Sequence, residues 1–220
     1  MNKNLYVVLM AGGVGVRFWP YSRNSRPKQF LDVLGTGKTL IQSTFERFLP
    51  ICPPENIFVV THEEHAAIAR EQLPLLKPEQ ILTEPMRKNT AACIAYASFR
   101  IQQINREAVI VVTPSDHLIL RENQFLDVIE KAVEQARADE KLITLGIKPT
   151  RPETGYGYIQ YHTEKSLPAG AQATVWQAGL AKKVKTFTEK PELPLAKKFL
   201  ESGDFVWNAG IFIWSVESIV

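Results

Sequence analysis

Short apolar runs with little alternation recur along the chain: LYVVLM (5–10), IFVVT (57–61), QILTE (80–84), AVIVVT (108–113) and KLITLGI (141–147). Runs of this kind suit strands buried on both faces, as in parallel sheets. Segments of a different period lie between them. TLIQSTFERFL spaces its apolar residues as a helix does, and THEEHAAIAREQL opens with Thr61-x-x-Glu64, a capping-box pattern. NTAACIAYASFRIQQI is long and alanine-rich, and ENQFLDVIEKAVEQARADE is amphipathic. Strands alternating with helices predict βαβ units and an α/β fold with a mostly parallel sheet.

The rhythm changes after Lys148. PTRPETGYGYIQY carries turn residues and then alternating aromatics, and ATVWQAGLAKKVKTFTEKP has no helical period. PELPLAKKFLESG reads as a helix begun by proline and ended by glycine, and FVWNAGIFIW as a further strand. This second half is expected to extend the sheet and add a small lobe facing the first half.

Composition narrows the classes. Of the 220 residues, 45% are hydrophobic and 22% charged, which suits one domain with a core that needs no disulfides. A formal charge of +3 without a long basic run gives no ground for nucleic-acid binding. The apolar run near the N-terminus is at the short limit of a signal segment and far below the ~20 residues of a membrane span, so no membrane association is expected. Cys52 and Cys93 have neither disulfide nor zinc spacing, and a reducing cytoplasm is the easy fit. His62 and His65 are read on a solvated, acidic helix start and lack zinc-binding spacing.

The chemistry begins at AGGVGVRFWPYSRNSRPKQFL. A dinucleotide fingerprint fails, because its third glycine position is Phe18. GTGKT resembles the end of a P-loop, but Asp32 stands where the first glycine should, so Gly35 and Gly37 are expected to make a turn. What remains is a strand, then Gly12, Gly13, Gly15, Arg17 and Lys28. Such a loop exposes backbone N–H groups to a phosphate, Arg17 offers a planar fork and Lys28 a point charge. Left alone, the segment also fits a plain turn with exposed cations.

Later segments each carry two readings. Asp116, just after an apolar strand, could hold Mg²⁺ beside a nucleotide or make a turn or cap. Glu84 and Asn89 could read a base edge, or Asn89 and Thr90 could simply start a helix. Gly155, Tyr156 and Gly157 suit a sugar lying on backbone, or a bulged strand. Glu189 and Lys190 set opposite charges at a strand end. Asn208, expected to be buried, must be hydrogen-bonded to backbone or to ligand.

Taken together and in order, AGGVGVRFWPYS…RPKQFL, EPMRKNTA, PSDH, ETGYGYI, FTEKP and WNAGIF resemble the sugar-phosphate nucleotidyltransferases, and within them the mannose-1-phosphate guanylyltransferase branch. The resemblance implies a Rossmann-like nucleotidyltransferase fold, a mostly parallel mixed sheet flanked by helices with a small sugar-binding lobe. It divides the single domain into a nucleotide-binding half (1–148) and a sugar-binding half (149–220). It implies that GTP and mannose 1-phosphate give GDP-mannose and pyrophosphate, with Mg²⁺. Arg17 and Lys28 are then the catalytic cations. Ala11, Gly12, Gly13, Gly15, Glu84, Pro85, Asn89, Thr90 and Ser115 would line the nucleotide. Gly155, Tyr156, Gly157, Glu189, Lys190 and Asn208 would take the sugar phosphate, and Asp116 the metal.

The chain departs from the family pattern at Val14, Val16, Lys88 and Ala92. Relatives continue past WNAGIFIW to a second metal-binding aspartate and a C-terminal region. The resemblance therefore leaves open an impaired or truncated homologue that binds nucleotide with little turnover, with Asp204 as the alternative second ligand within the chain. A relative using UTP or dTTP with glucose 1-phosphate is the other rival, and a homo-oligomer is left open.

Overall fold

Strand β1 (Leu5–Met10) is apolar throughout because its side chains alternate between two apolar layers. Leu5, Val7 and Leu9 enter one, and Tyr6 and Val8 the other. The computed structural model describes residues 2–13, 15, 18–86, 88–139, 141–163, 173–177 and 180–220.

β1 pairs in parallel with β2 (Ile57–His62) and β4 (Val109–Pro114), and β2 in parallel with β3 (Ile81–Glu84). Further strands are β5 (Leu142–Ile147), β6 (Tyr158–Tyr161), β7 (Ala173–Gln177), β8 (Leu180–Thr188) and β9 (Phe205–Ser215). Among the described residues they form one nine-stranded sheet in the order β3-β2-β1-β4-β9-β5-β7-β8-β6. β9 is antiparallel to both β4 and β5, so the sheet is mixed.

Helices cover both faces. The layer under Leu5, Val7 and Leu9 includes Ile41, Phe45 and Phe48 of α1 (Leu40–Phe48), Ala69 of α2 (Ala66–Gln72), and Ile129 and Val133 of α4 (Glu122–Asp139). The opposite layer holds Cys93, Ala97 and Ile101 of α3 (Asn89–Ile104), together with Trp214 and Val216, where α6 (Val216–Ile219) begins. Helix α5 (Leu193–Ser202) has proline in its first turn and stops at Gly203, whose φ of 75° suits a residue without a Cβ. No helix among the described residues is long and apolar enough to cross a membrane.

The second half extends the sheet as expected, and β6 pairs with β8 and also with β9, so β9-β5-β7-β8-β6 closes into a ring. Two expectations need correction. Thr61 does not cap a helix. It lies in β2 and its hydroxyl donates to the Ala11 carbonyl at 3.0 Å, while the His62 ring accepts from the Glu64 N–H at the following 3-10 turn. His65 is not solvated; it is buried, with Nε2 2.7 Å from the Asn24 carbonyl oxygen and its ring against Phe30.

The GTGKT segment is a turn, as its missing first glycine implies. Asp32 accepts from the N–H groups of Thr36 and Gly37 at 3.0 and 2.7 Å. These donors, that of Thr36 foremost, hold the Asp32 pKa down.

Candidate functional site

The strand order reverses direction at β1, between β2 and β4, and ligands in open α/β sheets bind outside the carboxyl ends of strands at such a point. A pocket of about 410 Å³ lies there. Met10, Gly12 and Gly13 line it from the end of β1, Pro114 and Asp116 from the end of β4, and Glu84, Asn89, Thr90 and Cys93 from the end of β3 and the first turn of α3.

The glycine loop is held from behind. Gln29 is buried, and its Nε2 donates to the carbonyls of Ala11 at 2.8 Å and Gly13 at 2.9 Å. Ala11 is itself buried and gives its N–H to Val60, so it shapes the loop from inside. Gly15 has a φ of 65°, and a Cβ there would lie 2.6 Å from Ser22 Oγ and 3.1 Å from Lys28 Cβ. Only glycine lets the loop pass so close to the turn that carries Lys28. Ser115 is also buried, and its hydroxyl donates to the Met10 carbonyl at 2.8 Å, tying the end of β4 to the end of β1.

Lys28 opens a 3-10 turn (Lys28–Phe30) and forms an ion pair with Asp116. The Phe18 ring lies 5.8 Å from the ammonium. Beside Asp116, burial pushes the His117 pKa down against the pull of that carboxylate, with Lys28 and Arg47 adding to the fall. Arg47 is buried and reaches Glu122 at 2.8 Å, joining α1 to α4.

On the opposite wall, burial raises the Glu84 pKa, and a Cβ on Gly12 would stand 3.9 Å from its Oε2. Asn89 has a φ of 64°, left-handed for a residue with a side chain, and the N-cap Lys88 makes no side-chain cap bond. Pro85 is exposed next to Glu84 and is not part of the pocket wall. Arg17, Val14 and Val16 lie outside the described residues.

The sugar-side candidates form a second group. Gly157 accepts from the Asn208 N–H at 2.8 Å, and a Cβ on Gly157 would lie 3.6 Å from Glu189 Oε2 and 3.7 Å from Asn208 Cβ. Asn208 is half-buried rather than buried, and its Oδ1 accepts from Gly210 N–H at 2.9 Å. Glu189 and Lys190 pair with each other at 2.8 Å and are exposed. Tyr156 packs edge-on to Trp207, and Gly155 N–H donates to Glu153. The two groups are neighbours through β9: Gly210, two residues from Asn208, would bring a Cβ within 3.6 Å of Pro114 in the pocket wall.

Asp204 belongs to neither group. Its carboxylate accepts from Gln160 and Ser202, each at 2.7 Å, which commits it to the junction of α5 and β9. Gln29 and Arg47 escaped the sequence reading. Their partners are backbone carbonyls and a carboxylate far along the chain, which leave no local pattern.

A divalent cation would find few protein ligands. No group of three or more His, Cys, Asp or Glu that could hold a metal occurs among the described residues. Asp116 offers one hard oxygen at the pocket wall. That donor set fits a cation whose other ligands are phosphate oxygens and water.

Residues 6–220 match the family model described as nucleotidyl transferase. The chain is 41% identical over 209 residues to the xanthan biosynthesis protein XanB of Xanthomonas campestris pv. campestris (strain B100), covering 94% of this chain and 41% of that protein. It is 40% identical over 218 residues to a mannose-1-phosphate guanylyltransferase of Escherichia coli (strain K12), covering 97% of this chain and 43% of that one. The crystal structure of a mannose-1-phosphate geranyltransferase from Thermus thermophilus superposes with a TM-score of 0.82 at 31% identity, over 98% of this chain and 58% of that one. The chain thus spans about two-fifths of the length of the curated relatives it matches.

Proposed function

The chain belongs to the nucleotidyl transferase family, and from that membership we propose that it joins GTP to mannose 1-phosphate, releasing pyrophosphate and forming GDP-mannose. The observation that carries the reading is the pocket at the end of β1. A glycine loop, a cation–carboxylate pair and a partly buried glutamate converge there, beside the group of Gly157, Glu189 and Asn208. Relatives named mannose-1-phosphate guanylyltransferase support this choice of substrates.

The sugar phosphate is the nucleophile and is already ionised at neutral pH, so no strong base or covalent intermediate is required. The difficulty is bringing two anions together and bearing the charge of the departing pyrophosphate. Backbone N–H groups of Gly12 and Gly13 approach the phosphates, and Lys28 and Arg17 hold them. Glu84 accepts from the base, where guanine presents adjacent N–H donors. Gly157, Glu189 and Asn208 hold the sugar, with Lys190 on its phosphate. Asp116 would hold Mg²⁺, which supplies charge neutralisation on the phosphates when bound. Residues 1–148 serve the nucleotide and 149–220 the sugar. The buried free thiols of Cys52 and Cys93 agree with a reducing cytoplasm.

Pyrophosphate release with GTP, UTP, dTTP and ATP, each against mannose 1-phosphate and glucose 1-phosphate, tests the proposal. Turnover confined to GTP and mannose 1-phosphate supports it. Preference for UTP or dTTP with glucose 1-phosphate, or nucleotide binding without turnover, overturns it.

A further inference from the structure

The ion pair between Lys28 and Asp116 joins the residue proposed for the phosphates to the residue proposed for the metal. Both side chains are mostly shielded, with 29% and 19% of their surface exposed, so solvent screens this pair less than a surface one. Lys28 is well anchored. It starts the turn that Gln29 pins to the glycine loop, its stem lies against Gly15, and the Phe18 ring stands beside its ammonium.

We propose that Lys28 serves as the internal counter-ion of Asp116, so that the chain takes its divalent cation as a complex with nucleotide phosphates and not as the free ion. The inference deepens the nucleotidyltransferase reading and rests on it for the identity of the incoming anion. A free cation reaching Asp116 would displace the ammonium and leave two cations side by side, with no anion returned to Lys28. No cluster of three protein ligands among the described residues offsets that loss. A metal-bearing triphosphate makes the exchange even. Lys28 passes from carboxylate to phosphate oxygen, Asp116 passes from ammonium to metal, and every charge keeps a partner. The pair thereby also holds the Asp116 carboxylate in place before substrate arrives.

The test is Mn²⁺ binding followed by electron paramagnetic resonance, with no nucleotide present. The full 220-residue chain is compared with Lys28→Gln, Lys28→Met, Lys28→Arg and the double variant Lys28→Gln/Asp116→Asn. The wild-type chain and Lys28→Arg should bind Mn²⁺ weakly. Lys28→Gln should bind about five-fold more tightly, the loss expected of one modest ion pair, and the double variant should return to the wild-type level. Lys28→Met repeats the measurement should Lys28→Gln fail to fold, as circular dichroism would reveal. Wild-type affinity equal to that of the neutral variants overturns the proposal, as does a gain that survives loss of the Asp116 charge. Because the assay contains no nucleotide, its outcome stands apart from the choice between GTP and UTP, which calorimetry reads separately.

Discussion

Gln29 holds Gly13 in place: its buried amide donates to the Gly13 carbonyl at 2.9 Å and to that of Ala11 at 2.8 Å. One side chain therefore spans the start of the glycine loop, and the next residue back is Lys28. Gln29→Leu keeps the bulk but leaves the Gly13 carbonyl without that donor, while Ala11 retains Thr61. We expect a stability loss of about 0.5–1.5 kcal/mol in urea denaturation, the usual net worth of one hydrogen bond, because Gly13 is exposed and water can reach its freed carbonyl. kcat/KM should fall with it, because the loop is no longer fixed. An unchanged midpoint together with full turnover would remove Gln29 from the site's support.

The glycines of the loop should respond differently to a methyl group. At Gly15 an alanine must adopt φ of 65° and meet Ser22 Oγ at 2.6 Å. The left-handed backbone alone costs about 1–2 kcal/mol, so Gly15→Ala should lower the melting temperature measurably. At Gly13 nothing lies within 4 Å of the added Cβ. Gly13→Ala should therefore melt near the wild type while raising KM for the nucleotide, because the methyl group stands where a phosphate approaches. Equal melting temperatures for both variants would contradict this assignment of strain.

Glu84 carries a pH signature. Partial burial raises its pKa above the ordinary 4.5, with His62 opposing. The folded state thus binds the proton more tightly than the unfolded state. Its stabilising contribution is present below the unfolded value and is lost as pH rises through the folded one. Glu84→Gln removes that loss. The variant should match the wild type near pH 4 and melt at the same or a higher temperature at pH 7.5, yet bind GTP less tightly. A variant that melts lower at pH 7.5 would show that the carboxylate supports the fold instead.

The parts of the fold that the sequence foretold are those whose cause is local. β1 is an apolar run because both its faces are covered, and α5 ends at Gly203 because the chain needs a left-handed residue there. The glycine loop is visible because its conformation demands glycine at Gly15. What escaped depends on distant partners. Nothing in RPKQFL says that Gln29 reaches carbonyls 16 and 18 residues earlier. The capping pattern at Thr61 and Glu64 is genuine as a pattern, but the Ala11 carbonyl takes the Thr61 hydroxyl. The closing of β6 onto β9 joins strands some fifty residues apart and has no local signal.

Both thiols should be inert in the native protein. Burial pushes Cys52 up to about 12, with Glu55 adding to the rise, and Cys93 up to about 12, with Glu84 adding to it. Thiolate is the reactive form, so neither should react with a disulfide reagent at pH 8, although Cys93 lines the pocket at the end of β1. In denaturant both of the chain's two cysteines should titrate. Rapid loss of one native thiol at pH 8 would mean that the pocket opens around Cys93 far more than this arrangement allows.

Gly157 separates support of the fold from contact with the sugar. An added Cβ would sit 3.6 Å from Glu189 Oε2, 3.6 Å from the Thr188 carbonyl and 3.7 Å from Asn208 Cβ. Those are ordinary contacts, so Gly157→Ala should change stability by less than about 1 kcal/mol, and its smaller unfolded-state entropy works in its favour. The methyl group nevertheless projects between Glu189 and Asn208, the two side chains assigned to the sugar. It should raise KM for mannose 1-phosphate while leaving the calorimetric affinity for GTP unchanged, because the pocket proposed for the nucleotide is lined by other residues. Steady-state kinetics with each substrate varied in turn reads both effects. If GTP affinity fell equally, Gly157 would belong to a conformational support common to both halves. If neither parameter moved, the sugar would lie elsewhere than against Glu189 and Asn208.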